Sequence, residues 1–573
     1  MKYLASAITL LLVSGSFFSC NEEEFLTEIN PNAITSETFW QTEAQFQSAL
    51  TTVYGATQFQ AISGGLLVNE MILGDIGGTE SWYRPFAFRN LTYNDGSEYV
   101  VDKWNQLYVG IFRANQVIEF IQAADANVFD ENVQAEIEAQ ARFLRAFFYF
   151  QVAHTYGGAV MHMIVPQVDD DFHKPFSSIE EVTNSVIIPD LQFARDNLPE
   201  TWDATNTGRA TWGAATSMLG KVYLFGERWA DAASLFEEVI NSDLYSLTPD
   251  IMDNFRHDTE FNSESIFEVA YSAELNPGVN GNAVDDNPFE SGAEASIIAT
   301  QFGQLNYGAF NTLLPTYYLH ELFVNDEVDP ENPVNDDNLQ SKRLSASIVP
   351  FNAETDYYGL AVGERGGWGF GQSSYIKKYT NWYHLESEDA NSRSGINFRH
   401  IRLADVYLMY AEAVIMARGD WQTALDFIDR IRTRAGVKTL AQYIDENAGS
   451  FPQLHVSEQV RGSRPLVAPS AETVLTHIKR VERPIELCFE GHRWKDLVRW
   501  GMVEEVFDEL RADEIWRQNN TGDLNITAGG VAPLFIVERI RPDFIICADS
   551  YQSAAHDYLP IPTQERQNNN MIN

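Results

Sequence analysis

Cysteine is nearly absent: Cys20, Cys488 and Cys547 are the only three in 573 residues. So few exclude a disulfide-built scaffold and a cysteine-ligated metal cluster. Cations are scarce as well, with 39 Lys and Arg against 81 Asp and Glu, a formal net charge of -42. Nucleic-acid binding draws on Lys and Arg contacts to phosphate, so this composition excludes a nucleic-acid partner. It also opposes close adhesion to anionic lipid headgroups. After residue 20 no apolar run approaches the roughly 20 residues that span a bilayer. H-E-x-x-H, C-x-x-C and G-x-S-x-G are all missing. "GERGGWGFG" is rich in glycine but lacks the Lys-Ser/Thr of a phosphate loop. "NDEVDPENPVNDD" is acidic without EF-hand spacing, so it reads as a solvated loop, with a structural calcium as the alternative.

What is present begins at the N-terminus. Lys2 is the only charge before Cys20, and residues 3–19 centre on Ile8, Leu10, Leu11, Leu12 and Val13. A basic start and a short apolar middle describe a secretory signal. Its stop at Cys20 resembles a bacterial lipoprotein signal, in which the cysteine becomes the acylated N-terminus; Phe17-Phe18-Ser19-Cys20 is a loose form of that box. Each buried methylene contributes about 0.8 kcal/mol, so several acyl chains anchor a chain without a spanning helix. The reading is a signal at 1–19, lipidation at Cys20, and a membrane association through that anchor only. Cys488, between Leu487 and Phe489, reads as a buried thiol; a Cys488–Cys547 disulfide stays open.

Helical periodicity dominates the rest. "SETFWQTEAQFQSALTTVYGATQ" opens the first helix, with Ser36 as its expected cap. "KWNQLYVGIFRANQVIEFIQ" carries a stripe from Trp104 to Ile121. "VQAEIEAQARFLRAFFYFQVAHTYGG" is apolar nearly all round from Phe143 to Val152, the mark of a central helix. Arg142 and Arg145 within it should meet carboxylates of neighbouring helices. "LGKVYLFGERWADAASLF" sets Leu219, Gly220, Tyr223, Ala232 and Phe236 at tetratricopeptide offsets, with Gly220 and Ala232 allowing close approach and Tyr223 and Phe236 filling the gap. A second hairpin, "LADVYLMYAEAVIMARGDWQTALDFIDRIRTRAG", aligns Ala424 with Ala232 and Ile428 with Phe236. The expected fold is mostly α: an irregular helical array of degenerate tetratricopeptide-like pairs, with long loop-rich insertions and a few short strands. An N-terminal helical region (20–245) precedes a C-terminal region (246–573), whose loop-rich part is 246–395; together they should form one compact body.

Five motifs, "ARFLRAFFYFQVAHTYGG", "FRHIRLADVYLMYAEAVI", "IDRIRTRAG", "IELCFEGHRWKDLVRWG" and "YLPIPTQE", resemble the SusD/RagB family of outer-membrane lipoproteins in the right order, and "FLTEINPNAITSETFW" is similar to its opening. Pro484 departs from the family pattern, so a helix should restart or kink there. The resemblance implies a lipid-anchored subunit on the outer face of the outer membrane. Such a subunit binds glycan without cofactor or catalysis and delivers it to a TonB-dependent, SusC-like transporter. A peptide-binding import subunit is the alternative, and a glycoside hydrolase a more distant one.

Glu486 and Glu490 lie one helical turn apart, as the paired carboxylates of a glycosidase would stand in a sequence. At i,i+4 they share one side, whereas hydrolysis needs carboxylates across the substrate; Arg483, Arg493 and Arg499 offer ion pairing instead. Sugar binding needs flat apolar faces beside hydrogen-bonding groups. Two loops supply them: "TESWYRPFAFRN" with Trp82, Tyr83, Arg84 and Arg89, and "GGWGFGQSSYIKKYTNWYH" with Trp368, Trp382 and Tyr383. Trp82 leads, because its loop matches the place of an early binding aromatic in the family; Trp368 is second. Loop packing accounts for any one of them equally well.

Overall fold

The computed structural model describes residues 39–130, 132–275, 294–336, 338–366, 373–389, 391–520 and 540–572. Cys20, Ser36 and Trp368 lie outside them. Eight helices form an array in which each packs on the next: α1 (Glu43–Thr57), α2 (Glu98–Ala123), α3 (Val133–Tyr156), α4 (Ile188–Asn197), α5 (Trp212–Phe225), α6 (Trp229–Ile240), α7 (Leu403–Arg418) and α8 (Trp421–Arg434). The α6–α7 junction joins the two tetratricopeptide-like hairpins, so pairs separated by about 160 residues of chain are neighbours in space.

Local chemistry sets the ends. α1 starts at Glu43, where Thr42 and Gln45 form a reciprocal capping box. Thr211 and Asp420 cap α5 and α8 through the backbone N–H groups of Ala214 and Thr423. α3 is central as its composition requires: every residue from Phe143 to Phe150 is buried, and Arg145 and Arg142 both reach Asp190 on α4, at 2.7 and 2.8 Å. In the α5–α6 hairpin a Cβ on Gly220 would stand 2.6 Å from Cε1 of Phe236, which is why that position carries no side chain.

Two prolines sit inside helical runs, and both follow a π turn. Thr183–Ile187 precedes Pro189, and Ile478–Glu482 precedes Pro484. A proline lacks the N–H for its i−4 carbonyl and its ring collides with that carbonyl; an extra residue in the preceding turn removes the conflict. The helix expected to restart or kink at Pro484 therefore restarts through a π turn, and it ends at Glu486.

Strands are short and paired in twos. β1 (Ser265–Val269) runs antiparallel to β2 (Phe398–Arg402), with register shifts that leave Ile266, Phe267, Glu268 and Val269 all buried rather than alternating. This pairing brings Glu264 to Arg402, the centre of a buried ion network. Arg402 is 2.7 Å from Glu264, 2.8 Å from Glu486 and 2.7 Å from Glu490. Arg434 adds contacts to Glu264 and Glu486, and Lys378 holds Glu490 at 2.8 Å. Glu486 and Glu490 are thus ion-paired as anticipated, but by other partners than the sequence suggested. Arg483 bridges Asp405 and Asp496, Arg493 takes Asp75, and Arg499 takes Glu412 and Asp496. A second buried knot joins Arg343 and Arg432 to Asp326 and Glu482. Asp326 belongs to the acidic stretch weighed for calcium, and it is committed to arginines.

Cys488 and Cys547 are both buried and free. Burial pushes each thiol upward, and Arg89 lies 3.2 Å from the Cys547 sulfur. Among the described residues no helix is long and apolar enough to cross a membrane, and no group of three or more His, Cys, Asp or Glu is placed to hold a metal ion.

Candidate functional site

A cavity of about 750 Å³ opens between the first turns of α2 and two loop segments. One wall is the sequence-nominated loop: Tyr83, Arg84, Pro85, Ala87 and Phe88. The 297–312 segment forms the facing wall with Ile297, Gln301, Leu305, Phe310 and Thr312, and Gln60, Leu66 and Asn69 complete the lining. Ser97, Glu98 and Asp102 enter from α2. The first loop is fixed from below by Arg89. Its buried guanidinium donates to the carbonyls of Gly74 and Gly77 at 2.6 and 2.8 Å and lies over the rings of Phe507 and Phe544. Arg89, grouped with the loop's binding residues on sequence, is therefore a structural pin out of a ligand's reach. Thr79 ties the two walls together by donating to the Thr312 carbonyl at 2.6 Å.

Trp82 is 64% exposed and stands beside Tyr83, their ring centres 6.1 Å apart and tilted by 46°. A large apolar ring left in water this way has found no packing partner that covers it. Leu305 and Phe310, 59% and 43% exposed, present apolar surface from the other wall. Arg84 extends to Glu98 at 3.0 Å, both side chains largely in solvent. Burial raises the Asp102 carboxyl, and Glu98 one turn away adds to the rise. Below, Tyr99 donates to Glu70 at 3.0 Å, and Glu70 also meets Lys103 and Lys495, so the floor is a closed polar network. Flat rings, amides, hydroxyls and a cavity of this size suit a ligand with C–H faces and many hydroxyls.

A family model described as "SusD family" matches residues 263–573, more than half of the chain. The chain belongs to the SusD family. A second family model, described as "Starch-binding associating with outer membrane", matches residues 24–224 of this SusD-family chain. SusD-like protein P25 of Formosa agariphila is 24% identical over 99% of this chain and 98% of its own. A SusD-like protein of Bacteroides ovatus is 25% identical, covering 87% and 83%. Among solved structures, a SusD superfamily protein from Bacteroides vulgatus superposes with a TM-score of 0.71 at 23% identity over 94% of this chain and 99% of that one. A laminarin binding SusD-like protein gives 0.65 at 22%, covering 93% and 99%. These likenesses show the mostly helical fold expected from sequence.

Trp382 and Tyr383 lie away from that cavity's lining, and of the first loop's pair Tyr83 lines it while Trp82 stands next to it in sequence, outside the lining. Trp382 is half-buried, packed against the Tyr307, Tyr357 and Tyr358 cluster, and Lys377 Nζ sits 3.7 Å from its ring centre. The Tyr383 hydroxyl accepts from the His257 backbone N–H at 2.8 Å, and Arg256 lies over its ring. Tyr383 thus packs with His257 and His384, while Trp382 stands edge-on to Tyr383. Sequence reasoning did not single out Leu305, Phe310, Gln301, Glu98 or Asp102. Leu305 and Phe310 occur in aperiodic chain, and Glu98 and Asp102 precede the stretch from Lys103 expected to be helical, which in fact begins at Glu98.

Proposed function

We propose that this protein is a cell-surface lipoprotein that binds glycan non-catalytically, through Trp82, Tyr83 and Arg84, and passes it to a TonB-dependent, SusC-like transporter in the outer membrane. The observation that carries the proposal is the exposed Trp82 beside an open cavity with apolar faces and neutral hydrogen-bonding groups. The family description, starch-binding and associating with the outer membrane, supports the same reading, as does the laminarin binding of one structural relative. Glu486 and Glu490, 0% and 2% exposed, are locked in ion pairs and offer no general acid or base to a ligand. Glu98 and Asp102 do face the cavity, but they sit at i,i+4 on one helix, whereas hydrolysis needs carboxylates on opposite sides of the scissile bond.

Calorimetry with the cognate glycan tests the site. Trp82→Ala should lose about 1–3 kcal/mol of binding, the contribution of an aromatic stacking platform to a flat ligand, while its thermal melt stays unchanged. Wild-type affinity in the folded variant would move the site elsewhere, with Trp368 the next residue to replace. Release of shorter sugars by pure wild-type protein would favour the hydrolase.

The anchor has its own test. Cys20→Ser should leave the chain unlabelled by radioactive fatty acid and absent from the outer-membrane fraction. Equal labelling and membrane retention would remove lipidation at Cys20 from the proposal.

A further inference from the structure

Resting on the glycan-binding reading above, we propose that the Tyr83–Phe310 cavity selects uncharged glycans and rejects those bearing uronic acid or sulfate groups.

Three charged side chains line the cavity: Arg84, Glu98 and Asp102. One cation against two carboxylates leaves the lining with a deficit of positive charge. Arg84 is already drawn to Glu98 at 3.0 Å. That pair is 90% and 64% exposed, so it is weak and an incoming sulfate could pull Arg84 away. The cost then falls on the wall. Glu98 would lose its counter-charge while facing Asp102 one helical turn away and the anion itself across the cavity. Burial, with Glu98 adding, pushes the Asp102 carboxyl upward, and its protonation would supply a neutral donor but still no cation.

Every other polar side chain on the lining is neutral: the amides of Gln60, Asn69 and Gln301 and the hydroxyls of Ser97, Thr312, Tyr83 and Tyr99. Amides and hydroxyls donate and accept at once, which matches sugar hydroxyls and gives nothing extra to a carboxylate or sulfate. A net charge of -42 adds a long-range field that repels any polyanion before it reaches the cavity.

Native affinity gels cast with uncharged polysaccharides (starch, a β-1,3-glucan, a galactomannan) and with anionic ones (alginate, polygalacturonate, a carrageenan) test this on the mature chain. At least one uncharged glycan should retard the protein and no anionic one should. The affinity for the retarding glycan should change by less than about twofold between about 0.01 and 0.1 M salt, although the screening length falls from about 30 to 10 Å. Retardation by an anionic glycan that disappears in Trp82→Ala would overturn the selectivity and leave glycan binding standing. So would an affinity that falls steeply with salt. Retardation by none of the six would overturn the glycan-binding function, and the selectivity with it.

Discussion

Replacing Arg402 with methionine should cost about 3–5 kcal/mol of folding stability, the usual penalty for removing one partner from a buried ion pair. Three carboxylates converge on this guanidinium, from the residue before β1 and from the 486–490 turn, and all four side chains are at most 1% exposed. The methionine would fill much of the volume, but Arg434 and Lys378 alone would face Glu264, Glu486 and Glu490. The uncompensated negative charge, rather than a cavity, drives the loss. Arg84→Ala is the matched control: its ion pair is in solvent and should contribute between 0 and about 1 kcal/mol. Urea unfolding followed by circular dichroism measures both. An Arg402→Met midpoint indistinguishable from that of Arg84→Ala would show that the network is not what holds the loop-rich middle to the helices.

That network also marks what a sequence can and cannot convey. The helix pairs were legible because Gly220, Ala232 and Phe236 act within one hairpin, where spacing fixes who meets whom. Arg142 and Arg145 were legible in kind, since a cation inside an all-apolar helix must find a carboxylate, though not that both would share Asp190. Arg402 and Glu264 lie 138 residues apart, and the assignment of Glu486 to Arg402 rather than to Arg483 follows from strand pairing, not from local spacing. The candidate site divides the same way. Trp82 stood out because its loop matches the place of an early binding aromatic in the family and an indole in a polar loop lacks a stripe to join, and it is exposed. The facing wall comes from 297–312, more than 200 residues later, where Leu305 and Phe310 follow no period. The π turns before Pro189 and Pro484 were invisible because the proline specifies a conflict without specifying which local geometry resolves it.

Acid should unfold the protein steeply between about pH 4.5 and 3. Burial alone would raise the carboxyls of Glu264 and Glu490, but Arg434 and Arg402 around the first, and Arg402 and Lys378 around the second, outweigh it and hold both down to about 2. Burial, with nearby cations adding, depresses His154 and His320 to about 3. Both classes bind fewer protons folded than unfolded. The carboxylates' stabilisation is complete above their ordinary range near 4.5 and disappears as pH falls through 2. The histidines begin to lose theirs below 6.5 and continue down to 3. Glu260 and Glu514, pushed up to about 8 and 7 chiefly by burial, act in the opposite sense. Their effect is spent above pH 4.5, where unfolded and folded forms come to carry the same proton. Below that, these four groups each favour the unfolded chain by up to about 1.4 kcal/mol per pH unit, opposed until about pH 3.8 by Asp429 and Asp513, both pushed up to about 6 chiefly by burial. A native state worth about 5–15 kcal/mol cannot survive more than a few units of that slope. Far-ultraviolet circular dichroism and tryptophan fluorescence should therefore collapse together within this window. Glu264→Gln, which deletes one titrating group at the expense of neutral-pH stability, should make the slope shallower. Native spectra retained at pH 3 would mean that these buried carboxylates and histidines titrate as they do in the unfolded chain.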